Sequence, residues 1–455
     1  MQLIWFRKDL RTVDNKALHH ANIKSLVENS QSMAIYFVAT EQWKRHLIAP
    51  IQVDFIEQSL KSLSTQLAQL GIPLLVEQVA DFADIPSRLL ALQAQHKICD
   101  IHANSETEIN EIERDKAVLA ADLPLTLYQS DCIIEPDALR TLQGGRYKVF
   151  SAYRNAWIDK VKQMDLTPLA CPNSSNTAIE PAPINIDFDK QSSANWPAGE
   201  DEARSRLKRF LDESIIDYKR DRDIPSLDGT SQLSPYLAQG VISNKNCVYQ
   251  VLQEFPDALH EKDCGAYTWI NELVWREFYR HLMIANADLC KGHNYNSLAN
   301  HINWENNVHH FELWCQGKTG YGLVDAAMRQ LNETGWMHNR LRMVTASFLT
   351  KHLLIDWRWG EAYFMEHLID GDLASNNGGW QWAASTGCDA QPYFRIFNPI
   401  IQSQKFDPKG LFIRKYVKEL IDFDDKSIHF PVNGIVEHKL ARLSALDRYS
   451  VLKKG

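Results

Sequence analysis

"IQVDFIEQSLKSLSTQLAQLGIPLLVEQV", residues 51–79, joins two unlike apolar patterns across one glycine. Leu60, Leu63, Leu67 and Leu70 follow Phe55 at the three- to four-residue spacing of one helix face. Gly71 closes the run, as glycine does after a helix, and "IPLLVEQV" from Ile72 reads as a strand. The same alternation extends outward. Strand-like runs appear at "QLIWF" from Gln2, "MAIYFVA" from Met33, "KICDIHA" from Lys97 and "LTLYQ" from Leu125, with amphipathic stretches between them. Strand, helix and strand in repetition predict an α/β N-terminal domain built on a doubly wound parallel sheet.

The pattern changes at residues 167–200, "TPLACPNSSNTAIEPAPINIDFDKQSSANWPAGE", which are rich in Pro, Ser and Asn and have no period. Beyond them the chain is helical in pattern almost throughout. A chain of 455 residues exceeds the usual size of one core. The predicted division is therefore residues 1–130 as the α/β domain, 131–200 as an interdomain connection and 201–455 as an all-α domain.

Composition excludes several classes. With 45% hydrophobic and 23% charged residues the chain is neither disordered nor fibrous, and it has no apolar run of membrane-spanning length. "MQLIWFRKDLRTVDN" has no secretory apolar core, so the cytoplasm is expected. Cys99, Cys132, Cys171, Cys247, Cys264, Cys290, Cys315 and Cys388 are scattered without zinc spacing and read as reduced thiols. A net charge of −8 argues against indiscriminate binding to phosphate backbones and leaves only a local basic surface. There are thirteen tryptophans, most of them after position 190.

Four stretches carry candidate chemistry. In "TWINELVWREFYRHL", residues 268–282, Ile270, Val274 and Phe278 make one apolar helical side, while Trp269, Glu272, Trp275, Arg276 and Tyr279 make another. That second side suits a ligand, or else a solvated face with aromatics tucked into a neighbour. In "TGWMHNRLRMVTASFL", residues 334–349, Trp336, Asn339, Arg340 and Met343 share a face that fits either a planar ligand or a polar network between helices. "GTSQLSPYL", residues 229–237, places hydroxyls ahead of a helical pattern, as an anion seat or an ordinary cap. No Rossmann fingerprint or Walker A loop occurs. In "DGDLASNNGGWQWAAS", residues 370–385, Asp370, Asp372 and Asn376 start like a calcium loop, but the later ligands do not follow, so no metal is expected. Acceptors facing the ribose, ring N–H or amine groups of a ligand remain the third reading.

Taken together, "LIWFRKDLRTVDNKAL", "GTSQLSPYL", "NELVWREFYRHL", "TGYGLVDAAMRQLNETGWMHNRLRM", "DGDLASNNGGWQWAASTG" and "PYFRIFNP" resemble the DNA photolyase and cryptochrome family, in particular bacterial class I cyclobutane pyrimidine dimer photolyases. The resemblance implies a flavoprotein lyase for DNA repair by blue light, with an antenna chromophore on the α/β domain and U-shaped FAD in the helical domain. FAD would be lined by Tyr218, Thr230, Ser231, Gln232, Leu233, Ser234, Trp269, Trp336, Arg342, Asp370, Asp372 and Asn376, the last near flavin N5. The lesion, in single- or double-stranded UV-damaged DNA, would meet Glu272, Trp275, Asn339, Arg340, Met343 and Trp382, with Arg222, Arg276, Arg280 and Gln402 toward the DNA. Glu272 and Asn376 would serve catalysis. Trp380, Trp357 and Trp304 match an electron relay that photoreduces oxidised flavin.

The resemblance further implies 5,10-methenyltetrahydrofolate as antenna, held by Asn110, Glu111, Cys290 and Lys291, with deazaflavin and FMN as the family's other choices. Arg222, Arg276, Arg340, Arg395 and Lys405 are expected to form a basic rim. Relatives commonly carry a basic residue where this chain has Gln232. A plant-type cryptochrome is disfavoured by Asn376 and the short C-terminus, and a (6-4) photolyase by "WMHNR", where His338 is one residue off. No protein partner is implied, and a monomer is expected.

Overall fold

The computed structural model describes residues 1–173 and 177–453; three residues of the expected connection, 174–176, lie outside the described residues. The chain forms two compact units, one made of Met1–Tyr147, Ser151–Ile216 and Ser231–Ala287, the other of Lys148–Phe150, Asp217–Thr230 and Asp288–Gly455.

The first unit holds five parallel strands, β1 (Gln2–Phe6), β2 (Ser32–Ala39), β3 (Leu74–Val79), β4 (Asp100–Asn104) and β5 (Leu125–Tyr128), in the order β3-β2-β1-β4-β5. Leu3 pairs with Met33 on one side and Ile101 on the other. β1 and β2 are buried along their whole length, which is why they read as unbroken apolar runs. The predicted doubly wound α/β sheet is thus present, with two edges displaced. β3 begins after Pro73, which has no N–H for a ladder, and β4 begins after Lys97, whose left-handed φ of 53° ends the helix Ile85–His96. The helix read from residues 51–70 spans Pro50–Gln69, with proline in its first turn.

The units cut the chain differently from a division at the linker. The helix Gly265–Ala285 packs with the first unit because its Glu277 carboxylate accepts from Ile133 N–H at 2.8 Å, Ile134 N–H at 2.9 Å and Trp157 Nε1 at 2.9 Å. Residues 131–134 are therefore moored to that helix. Residues 186–193 are also fastened to the first unit, through Glu57, which accepts from Ile186 N–H, and Asp54, which accepts from Ser193 N–H.

The second unit is helical among its described residues, as expected for the C-terminal region. Its core gathers Trp314, Leu323, Met328, Leu341, Phe348, Trp357, Phe364 and Trp380, with Trp304 and Trp382 packed against it.

Candidate flavin and nucleic-acid site

Residues 231–234 and 269 lie in the first unit. Ser231 Oγ accepts from Trp269 Nε1 at 3.2 Å, and the buried Trp269 ring sits 5.3 Å from Phe210. Leu233 is buried, while Ser234 is exposed at the start of the short helix Ser234–Ala238. Gln232 adopts a left-handed φ of 49°, and its Oε1 accepts from Arg206 Nη1 at 3.2 Å. Sequence reading had not singled out Arg206, which carries no motif of its own and is found only by its place on the helix Glu200–Glu213.

On the helix Gly265–Ala285, Glu272 and Trp275 are half-buried, and Trp275 lies 5.5 Å from Tyr279. Arg276 and Arg280, expected toward DNA, share a partner within the first unit. Both clamp Asp131, Arg276 at 2.9 Å and Arg280 at 2.5 Å, and Arg280 is buried. The pair holds the Asp131 carboxyl well below the usual carboxylate range, against the burial that pushes it up. These two arginines line a crevice.

That crevice lies at the carboxyl ends of β1 and β4, where the strand order reverses and α/β sheets take their ligands. Its walls include Arg7, Lys8, Asp9, Arg11, Glu106 and Glu108. The charged run directly after β1 is the sequence signal for it. Nearby, burial and the Glu108 and Glu106 charges lift the Glu111 carboxyl to about 7, against the opposing pull of Lys8. Asn110 Nδ2 lies 2.9 Å from His46 Nε2.

In the second unit, Arg342 and Asp370 come together. Arg342 Nη2 meets Asp370 Oδ2 at 2.7 Å and its Nε donates to Met337 O at 2.8 Å. Asp372 caps the helix Leu373–Ala383, its Oδ2 accepting from Ser375 N–H at 3.0 Å. Asn376 Nδ2 donates to the Glu361 carbonyl at 3.0 Å, and Asn377 Nδ2 to the Glu361 carboxylate at 2.8 Å. Burial pushes that carboxyl up to about 7. Glu361 is a neighbour of the acidic run that sequence reading did not find, since it lies one helix earlier.

Asn339 is exposed at the start of the helix Asn339–Ser347, with Arg340 and Met343 half-buried behind it. Arg340 is pinned by Asp223 Oδ2 at 2.7 Å and lies over the Phe406 ring at 4.5 Å, with Lys405 over the same ring at 5.1 Å. Arg395 and Lys405 are exposed, and Arg222 covers the buried Tyr218 ring at 5.4 Å. Trp336 is half-buried beside His338. Thr230 is half-buried as well. Cys290 is half-buried and Lys291 exposed, 3.7 Å from Asp288.

Trp357 and Trp380 share the buried core, and Trp304 packs against it with Tyr449 at 5.8 Å. Trp357 Nε1 donates to Asn294 Oδ1 at 2.9 Å. Trp380 lies flat against Gly360, where any added Cβ would meet its six-membered ring. Several buried polar atoms of this unit have no protein partner: Asp370 Oδ1, Trp380 Nε1, Arg340 Nε and Gln402 Oε1. Buried polar groups are rarely left so, and an acceptor and a donor of this kind fit a large polar cofactor. The residues present therefore fit FAD.

This fold and these groups define a flavin-binding protein with an α/β unit. Residues 2–173 match the family model "DNA photolyase", and residues 269–451 match "FAD binding domain of DNA photolyase". The chain belongs to the DNA photolyase family. It is 43% identical to a Vibrio cholerae protein named deoxyribodipyrimidine photo-lyase, with both chains covered in full. The solved structure of a class III photolyase from Agrobacterium tumefaciens is 33% identical, with a TM-score of 0.85 over 100% of this chain and 98% of that one. A Synechocystis cryptochrome structure is 28% identical, with a TM-score of 0.85 over 98% of each chain.

Proposed function

We infer that this chain is a deoxyribodipyrimidine photo-lyase, a carbon–carbon lyase that uses light to return cyclobutane pyrimidine dimers in DNA to separate bases. The observation that carries the reading is the Asp370 carboxylate, held by Arg342 on one oxygen and buried without a protein partner on the other. Full-length identity of 43% to a protein of that name supports it. Bound reduced FAD supplies one electron under light to open the cyclobutane ring and takes it back, so two carbon–carbon bonds break with no net redox change.

The chain's own residues position and insulate. Arg342 and Asp370 hold the flavin, with Tyr218, Trp269, Trp336 and residues 230–234 as further walls. The Asn376 amide is fixed by the Glu361 carbonyl, and it would face the flavin ring when FAD is bound. A damaged dinucleotide is the least costly to flip out of a duplex. Trp275 and Trp382 stack on it, Glu272 accepts or donates at its base edge, and Asn339, Arg340 and Met343 complete the contact. Arg222, Arg340, Arg395, Lys405 and Gln402 serve the DNA, so that binding stays local on an acidic chain. No described helix is long and apolar enough to cross a membrane. The reading takes the enzyme as a cytoplasmic monomer.

The antenna in this reading is 5,10-methenyltetrahydrofolate, with Asn110, Glu111, Cys290 and Lys291 as its residues. A Glu111 carboxyl lifted to about 7 offers both a donor and an acceptor near neutral pH, which fits a pterin edge. Purified protein should show flavin absorption plus a strong near-ultraviolet band, and reduced protein under blue light should repair a thymine dimer in an oligonucleotide. A dimer left intact overturns the lyase reading, and flavin bands without the extra band overturn the folate.

A further inference from the structure

Lys351 is the least expected member of the helical core. Its side chain is fully buried in the π-helical turn Phe348–His352, directly after the helix that carries Asn339, Arg340 and Met343. Burial is the sole cause that pulls its ammonium down from 10.5 to about 7. Its Nζ donates to the Arg395 carbonyl at 3.1 Å, with the Tyr449 ring 6.0 Å away. A methionine of similar length would fill the same space without the cost of stripping water from a charge. What the amine adds over an apolar side chain is a directed bond to one carbonyl.

That carbonyl belongs to an exposed stretch. Residues 384–398 link the helix Leu373–Ala383, which holds Trp382, to the helix Pro399–Phe406. Within the link, Gln391 N–H donates to Trp382 O at 3.2 Å, and Arg395 N–H donates to Pro392 O at 2.9 Å, closing the turn Pro392–Arg395. Tyr393 and Ile396 pack against Ala299, Ile302, Leu354 and Tyr449. Both backbone polar groups of Arg395 are thus committed to protein. Its side chain is exposed and has no partner among the described residues. The residue is fixed at its backbone and free at its cation.

We propose that Lys351 is a positioning residue for DNA binding: it holds the Arg395 carbonyl from inside the core, so that the Arg395 guanidinium meets a phosphate from a backbone already ordered. The inference rests on the DNA-binding reading above. Ordering the turn beforehand removes part of the entropy cost that binding would otherwise carry. An amine has N–H donors with or without its extra proton, so the tether holds on both sides of neutral pH.

The carbonyl that Lys351 holds is the one trypsin must attack to cut the Arg395–Ile396 bond, so cleavage there reports the tether without DNA. In full-length holoprotein, Lys351→Met should speed cleavage after Arg395 by about tenfold, the scale of a hydrogen bond to a charged group, and leave the flavin-to-protein ratio unchanged. Filter binding of a dimer-containing oligonucleotide across a salt series completes the test. Lys351→Met should weaken binding by about fivefold, and the double variant Lys351→Met, Arg395→Ala should bind no worse than Arg395→Ala alone, because one residue works through the other. Unchanged cleavage or unchanged DNA affinity in Lys351→Met, or losses that add in the double variant, overturn the proposal. Should Lys351→Met not fold, the wild-type digest decides: late cleavage after the exposed Arg395 supports the tether, and cleavage there among the first cuts overturns it. A wild-type protein that binds no DNA would sink the DNA reading itself, a separate outcome that leaves the tryptic result to judge the tether.

Discussion

Arg342 holds Asp370 by one carboxylate oxygen at 2.7 Å, and the other oxygen of that carboxylate is buried with no protein partner. The ion pair thus orients an acceptor without consuming it. Asp370→Asn preserves the shape but removes the charge and leaves the guanidinium unpaired. FAD retention should fall by on the order of 10- to 100-fold, read as the flavin-to-protein ratio after purification. A stoichiometric flavin content in the variant would remove Asp370 from the site.

Trp380→Phe should abolish photoreduction of oxidised flavin while sparing repair by protein that is already reduced. The substitution deletes a buried N–H that has no protein partner, so little stability should be lost. Transient absorption after a flash distinguishes the two activities. Photoreduction at the wild-type rate would break the relay assignment.

Much of this was legible in the sequence. β1 and the helix Pro50–Gln69 were readable to within a residue because burial on both faces and a 3.6-residue period leave plain signatures. What could not be read was commitment. Nothing in the sequence shows that Asp372 also caps a helix by accepting from Ser375 N–H. The pairing of Arg276 and Arg280 with Asp131, about 145 residues earlier in the chain, leaves no local pattern either. Arg206 has no motif because its partner Gln232 is 26 residues away and neutral. Long-range polar pairing has no period, and a single sequence does not display it.

His102 should make stability depend on pH. Its ring is buried between Gln2 Oε1 and Tyr128 Oη, each at 2.9 Å, and burial, the largest cause, lowers it from 6.5 to about 4. A depressed folded value means the unfolded chain binds more protons between 6.5 and 4, so this contribution is complete above 6.5 and is lost as pH falls through that window. The stability advantage of wild type over His102→Asn should shrink on acidification, by at most about 1.4 kcal/mol per pH unit. Glu277 and Glu361, both raised to about 7, act in the opposite sense but cancel in the difference. Urea midpoints at pH 7, 6 and 5 check it, and a constant difference would refute it.

Arg340→Ala should weaken binding to dimer-containing DNA and reduce the slope of log affinity against log salt by about one. The guanidinium already faces Asp223 at 2.7 Å, so Asp223→Asn should strengthen binding by releasing it. Filter binding across a salt series measures both. An unchanged slope in Arg340→Ala would mean that Arg340 contacts no phosphate.

The surroundings of the two buried indoles have a bearing on how far a positive hole can travel. An indole that gives up an electron becomes a strong acid at its ring N–H, and a deprotonated radical is a trap. Trp357 has Asn294 Oδ1 at 2.9 Å, a weak base at best, and Trp380 has no protein acceptor at all. Within the proposed relay, an indole oxidised at position 380 would have no protein acceptor for its proton. It would then stay a cation and could pass its charge on toward Trp357 and Trp304 instead of being trapped as a neutral radical.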